Sequence, residues 1–356
     1  MGADMARSSP PRWPGADAPT RCPLALLLRH VGVRHDIPRI SRRSEDMEVT
    51  TESVDRARLS VTIPVRNEEQ NVPVFLERLR GVLDGLTGLD GWEMVFVDNG
   101  SGDSTLARLH AAHAADPRIR VVALARNFGY QAAVTAGLTH GSGDLYAVID
   151  VDGEDPPEVL TQFADAIRGG AHVAYGIRSQ RVEPALIVFS RRLFYYLNRF
   201  IADAEIVVWM AEFAMMRREV RDAILVPRTT FPFLRAELGY VGFTRVGIAY
   251  TRQPRMYGTS NYNLWRMTTF AVAGMLSSST FLLRLVLYVG AALAVALPVA
   301  VLVLRLTLVQ AASVTVIVMF YFLLMAVPTL ALYLARTYKN GVGRPVFVVD
   351  PGNSRL

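Results

Sequence analysis

The sequence predicts an α/β fold: a mostly parallel sheet wound with helices, followed by a two-helix transmembrane hairpin. Three observations carry this reading. From residue 59 onward, short apolar and β-branched runs alternate with amphipathic runs across short connections, the signature of parallel strands joined by crossover helices. The first four apolar runs each end in polar or charged residues, and in such sheets ligands bind beyond the carboxyl ends of the strands. Two uncharged stretches, 285–304 and 306–335, close the chain, and each is long enough to cross hydrocarbon.

The totals agree. At 356 residues there is room for one large domain and an appendage, and a hydrophobic content of 51% exceeds what a soluble enzyme needs. Cys22 is the single cysteine, which excludes an internal disulfide framework and a cysteine-based zinc site. A net charge of +6 suits anionic headgroups and anionic substrates. The arginines cluster beside the apolar spans and no recognition motif is present, so no nucleic-acid partner is expected.

Residues 1–46 show no sustained period, and their one apolar run, 24–28, is too short to span a membrane, so they read as a disordered extension. Met47, shortly before the first strand, is an expected alternative start. Residues 59–65 form a strand ending in Arg66-Asn67-Glu68-Glu69, and an amphipathic helix follows over 72–86. A second strand, 94–97, ends in Asp98-Asn99-Gly100-Ser101, and Asp103 or Ser104 caps the helix that runs to Ala115. The third strand, 119–124, leads into Arg126-Asn127-Phe128-Gly129-Tyr130 and a helix through Leu138. The fourth, 145–149, opens onto Asp150, Asp152, Glu154 and Asp155, then stops at Pro156-Pro157.

Aspartates two apart at a strand end can hold a hard divalent cation, which in turn holds a diphosphate. The alternative is an acidic turn that caps the next helix, 159–167, with Glu158 in its first turn. A fifth strand, 171–175, precedes Arg178 and Arg181. Residues 185–200 then form a basic, aromatic helix that either lies on a membrane surface or packs on the sheet. A short strand with a basic tip follows over 246–255. Arg252, Arg255, Arg266 and Arg284 precede the first span, Arg336, Lys339 and Arg344 follow the second, and only Arg305 lies between them. The positive-inside rule therefore puts both ends in the cytoplasm.

With these pieces placed, residues 59–348 resemble the polyprenyl-phosphate glycosyltransferases of glycosyltransferase family 2, which include dolichyl-phosphate mannose synthases and bactoprenyl glucosyl transferases. The motifs that carry the resemblance are Ile63-Pro64-Val65-Arg66-Asn67-Glu68-Glu69, Val97-Asp98-Asn99-Gly100-Ser101, Arg126-Asn127-Phe128-Gly129, Asp150-Val151-Asp152-Gly153-Glu154-Asp155-Pro156, and Ser278-Ser279-Thr280-Phe281 before the paired spans.

The resemblance implies a GT-A catalytic domain over 59–245, a juxtamembrane amphipathic segment over 246–284, two spans within 285–336 and a cytoplasmic tail, 337–356. It implies transfer of a sugar from a nucleotide-diphosphate sugar to a polyprenyl phosphate by a metal-dependent, inverting single displacement. It places the enzyme, a homo-oligomer or tetramer, in the inner membrane with its catalytic domain cytoplasmic. Pro64, Arg66, Glu68, Asp98 and Asp150 are expected around the donor. Asp152 and Glu154 are expected on Mg²⁺ or Mn²⁺, Asp155 as base or orienter beside Asp152, and Arg178, Arg181 and Arg255 on the acceptor phosphate. The chain departs from the family pattern at Glu154, where glutamine is usual, at Arg66, where an aromatic is commoner, and at Asn261, where lysine is usual. The last departure should leave Arg255 carrying more of the acceptor's charge. A processive polysaccharide synthase would carry a Gln-x-x-Arg-Trp motif that this chain lacks, and an inactive scaffold of the same fold is the other alternative.

Overall fold

A computed structural model describes residues 56–179, 210–226, 232–257 and 280–356. The expected extension 1–46, the helix expected at 185–200, Arg181, and most of the juxtamembrane segment with Asn261 lie outside the described residues.

The alternating pattern builds β1 (Ala57–Val65), α1 (Asn71–Asp84), β2 (Leu89–Asp98), α2 (Thr105–Ala115), β3 (Ile119–Ala123), α3 (Tyr130–His140), β4 (Leu145–Val148), α4 (Val159–Arg168) and β5 (Val173–Ser179). After these come β6 (Met210–Arg217), α5 (Arg218–Leu225), α6 (Leu234–Tyr240), β7 (Arg245–Thr251), α7 (Phe281–Val303) and α8 (Leu308–Val342). The seven strands form one sheet in the order β3-β2-β1-β4-β6-β5-β7. Pairing is parallel except where β6 lies antiparallel between β4 and β5. The first five strands and the two apolar helices are therefore as expected, with two differences. The sequence reading left β6, α5 and α6 unassigned, and the short strand expected at the start of the juxtamembrane segment, β7, pairs with β5 in the sheet as far as Thr251.

Period-two burial splits the core. Leu59, Val61, Ile63, Met94, Phe96, Ala147 and Phe213 face α1, α2 and α4, where Phe75, Leu79, Leu109, Leu160 and Phe163 meet them. On the other face, Tyr146, Val148, Ala214 and Met216 pack with Val134, Leu138, Val220 and Leu238 of α3, α5 and α6. Both faces are thus covered by helices, which is why the strands read as nearly continuous apolar runs.

The β3 edge is closed by the chain's own C-terminus. Arg355 and Val121 exchange backbone hydrogen bonds at 2.7 Å, the Ala125 N–H reaches Val348 O at 2.9 Å, and Phe347 and Val349 pack beside Phe128, Val97 and Leu124. The expected tail is thus a docked strap, and it removes an open strand edge.

The helices α7 and α8 are long and apolar enough to cross a membrane. No residue of α7 is buried and only Ala326 of α8 is, as lipid-facing helices require. Arg305, at φ 48°, makes the turn between them, and Thr307 with Gln310 forms a capping box that starts α8.

At the amino ends of the strands, far along the sheet from the carboxylate cluster, Glu93 is 1% exposed. Burial alone would raise its pKa, yet the Ser60 hydroxyl, the Ser142 N–H at 2.5 Å and Arg120 at 3.0 Å hold it below the ordinary glutamate value. A depressed folded pKa stabilises above the unfolded pKa and is lost as pH falls through the folded one. Glu93→Gln should therefore cost about 1–3 kcal/mol at pH 7 in urea unfolding, with the deficit shrinking below about pH 4.

Candidate functional site

The loops at the carboxyl ends of β1, β2, β3, β4 and β7 are tied together by side-chain hydrogen bonds. Asn67, held at φ 55°, accepts the Gly102 N–H at 2.8 Å, and its own N–H reaches Ser101 Oγ at 3.0 Å. Asn99 Oδ1 takes the Phe128 N–H at 2.9 Å. Asn71 Nδ2 donates to Glu68 at 2.5 Å and to Tyr257 O at 3.3 Å, joining the β1 loop to the one after β7. One rim results.

On that rim, Pro64 pairs in register with Val97 near the end of β1, and Arg66 is exposed. Burial raises the pKa of Glu68. Asp98, 2% exposed, accepts the Ser101 N–H at 3.2 Å through Oδ2, while its Oδ1 has no hydrogen-bond partner among the described residues. Gly100 is needed here: at φ 69°, a Cβ would lie 2.7 Å from the Asn127 backbone nitrogen.

The carboxylates after β4 meet different partners. Asp150 accepts the Tyr130 hydroxyl at 2.7 Å, and burial, then the neighbouring Asp152 charge, push its pKa up to about 7. Asp152 is 7% exposed; Oδ1 accepts the Glu154 N–H at 3.0 Å and Oδ2 accepts Arg255 Nη2 at 2.8 Å. Glu154 is paired with Arg252. Asp155, 1% exposed, accepts Tyr250 Oη at 2.5 Å and Arg178 Nη2 at 3.0 Å. The loop after β7 lies over this turn: Gln253 N–H donates to Glu154 O at 2.8 Å, Met256 N–H to Asp152 O at 3.1 Å, and the Met256 side chain covers Gly153.

Two of the expected site residues already have partners. Glu154 pairs with Arg252 as Asp152 does with Arg255, and among the described residues no three acids or histidines converge on one point. Asp155 has both oxygens engaged by donors, which suits the orienting one of its two expected roles. The donor chemistry still fits a magnesium-like ion. Such ions use hard oxygens and commonly keep one or two carboxylates, the rest of the shell coming from water and substrate phosphate. Asp152, beside an Asp150 raised to about 7 by burial and shared negative charge, is such a group.

The sequence reading missed Tyr130, Tyr250, Glu212 and Arg235. Glu212 sits in β6 at 7% exposure, with Arg235 at 2.8 Å and Gln131 at 3.2 Å. Its signal was available, since it is the one acid inside the apolar run 206–216. The two tyrosines had none, because an aromatic in a strand or a helix start reads first as core.

Comparison with known proteins follows the same line. Residues 60–225 match the family described as glycosyl transferase family 2. A bactoprenol glucosyl transferase of Shigella phage SfV is 34% identical over 241 residues, covering 67% of this chain and 77% of that protein. An uncharacterised glycosyltransferase of Synechocystis sp. is 30% identical over 302 residues, covering 82% of this chain and 94% of that one. A solved glucosyl-3-phosphoglycerate synthase of Mycobacterium tuberculosis, bound to UDP, is 21% identical, covering 67% of this chain and 86% of that one at a TM-score of 0.42.

Gly100→Ala should cost about 1–2 kcal/mol from the left-handed backbone alone, with more from the clash against Asn127. Urea unfolding measures it, and a wild-type midpoint would show that the β2 and β3 loops are not in contact in solution.

Proposed function

This chain belongs to glycosyl transferase family 2, and on that premise we propose that it transfers a sugar from a nucleotide-diphosphate sugar to a membrane polyprenyl phosphate in one inverting displacement. The observation that carries the proposal is the pairing of strand-end carboxylates with Arg178 and Arg255, the second of which stands on the loop leading towards the spans. Arginines at the strand ends, one of them on the chain that leads to the apolar helices, suit a lipid phosphate arriving beside the donor. The bactoprenol glucosyl transferases among its relatives support the same acceptor class.

In this reading Asp98 takes donors of the nucleotide on its unpartnered oxygen, and Pro64, Arg66 and Glu68 line the same end. Asp152, with Asp150 behind it, would hold Mg²⁺ or Mn²⁺. The cation would supply positive charge to the leaving diphosphate, worth several kcal/mol in the transition state. An acceptor phosphate has its second pKa near ~6, so at neutral pH it is mostly dianionic and attacks the anomeric carbon without a protein base. A carbon–oxygen bond to the acceptor forms as the bond to the diphosphate breaks, and nucleoside diphosphate leaves. The engaged state of Asp155 agrees with that chemistry. Before the donor binds, Arg255 and Arg252 answer the charge of Asp152 and Glu154; on binding, these arginines become available to phosphate oxygens.

By the positive-inside rule, the flanking arginines and lysine support both ends of the hairpin, and with them the catalytic domain, lying on the cytoplasmic face of the inner membrane.

Membranes containing the protein, supplied with a panel of radiolabelled nucleotide sugars, should place label in an acid-labile lipid; label confined to free sugar would refute the acceptor. Asp152→Asn should lower that transfer by a factor of about 10² or more. Separately, a reporter fused after Leu356 should behave as cytoplasmic and one at Arg305 as exported. Export of the C-terminal fusion would overturn the two-span orientation.

A further inference from the structure

Tyr250 lies near the end of β7, 5% exposed. Its ring stands edge-on to Phe213, with centroids 5.8 Å apart and planes at 89°. Gly176 on the neighbouring strand makes room for it: a Cβ there would fall 2.5 Å from Tyr250 Cε1. The phenol is thus fixed from two sides, and its oxygen closes a triangle. It donates to Asp155 Oδ1 at 2.5 Å and accepts Arg178 Nε at 3.2 Å, while Arg178 Nη2 donates to Asp155 Oδ2 at 3.0 Å.

A guanidinium left alone with a carboxylate closes a two-pronged bridge, using two N–H groups on two oxygens. Here that closure is blocked. The phenol hydrogen takes one carboxylate oxygen and the phenol oxygen takes Nε, so only Nη2 reaches Asp155. The outer edge of Arg178 stays open: its Nη1 has no partner among the described residues.

We propose that the Tyr250 hydroxyl is a positioning group for the acceptor phosphate: standing between Arg178 Nε and Asp155 Oδ1, it spaces the guanidinium out from the carboxylate and so fixes where Nη1 can meet a phosphate oxygen. The inference rests on the polyprenyl-phosphate reading above and adds to it a residue with no charge of its own. Burial, then the Asp155 charge, push the Tyr250 phenol well above its ordinary pKa, so it remains a donor throughout the neutral range. Without the hydroxyl, Nε closes onto Asp155 Oδ1 beside Nη2, and the guanidinium moves towards the carboxylate, drawing Nη1 back from the acceptor.

The test is calorimetric binding of farnesyl phosphate, with farnesol as the uncharged control, to the full chain in detergent. Tyr250→Phe should weaken farnesyl phosphate by about 5- to 10-fold, the loss of one charge-assisted contact, and leave farnesol and the melting temperature near wild type. Adding Asp155→Asn to Tyr250→Phe removes the charge that draws Arg178 inward, and should restore much of the lost affinity; a merely structural role for Tyr250 would predict no such rescue. Gly176→Ala, which displaces the ring and keeps the hydroxyl, should give the same loss and carries the test if Tyr250→Phe does not fold. Wild-type affinity in both single variants, or loss without rescue, overturns the role of Tyr250. A wild type that does not prefer farnesyl phosphate over farnesol strikes the acceptor reading itself.

Discussion

Asp150, Asp152, Glu154 and Asp155 leave β4 together, and a strand end so crowded with carboxylates stands only if protons or positive charge reach it from elsewhere in the chain. The structure answers each acid differently. Asp150 keeps a phenol and a pKa raised to about 7, Asp152 and Glu154 take arginines from the loop after β7, and Asp155 takes Arg178 from β5 with Tyr250 from β7. This compensation explains why the sheet continues past β5 to an edge strand whose far end folds back over the acids. It also means that the groups which stabilise the resting site are the ones an anionic substrate would recruit.

The other end of the sheet is built on the opposite logic. Glu93 is buried with a closed set of donors and nothing left to offer, so it fixes β1, β2 and the turn before β4. A site needs partners that can be exchanged, whereas an anchor needs partners that cannot. Between the two ends, the C-terminal strap on β3 brings Phe347 against the same cluster as Phe128, which ties the end of α8 to the loop that contacts Asn99.

The wound sheet, its first five strands along the chain, the carboxylate cluster and the two apolar helices were legible from residue pattern, because period, length and charge are local properties. Strand β6 was not: Met210–Arg217 is a continuous apolar run with one acid, and such a run is shared by buried strands and buried helices. Its antiparallel insertion between β4 and β5 depends on what already flanks it. For the same reason the place of β7 was hidden: it read as a short strand, but its parallel pairing with β5 at the sheet edge is not a local property.

Sequence by itself determined which chemistry stands at the strand ends: acids after β4, arginines at the end of β5 and after β7, polar loops after β1 to β3, and two helices apolar enough to cross a membrane beyond. Tertiary structure alone decided the pairing. Arg178 and Asp155 are 23 residues apart, Arg255 and Asp152 are 103, and Tyr250 and Asp155 are 95, so no local pattern could say which cation meets which acid. That choice follows from sheet order and register, which set β7 beside β5 and lay its loop over the turn after β4. It paired Glu154, expected on the cation, and Asp155, expected as base or orienter, with arginines, and made a buried tyrosine part of the site.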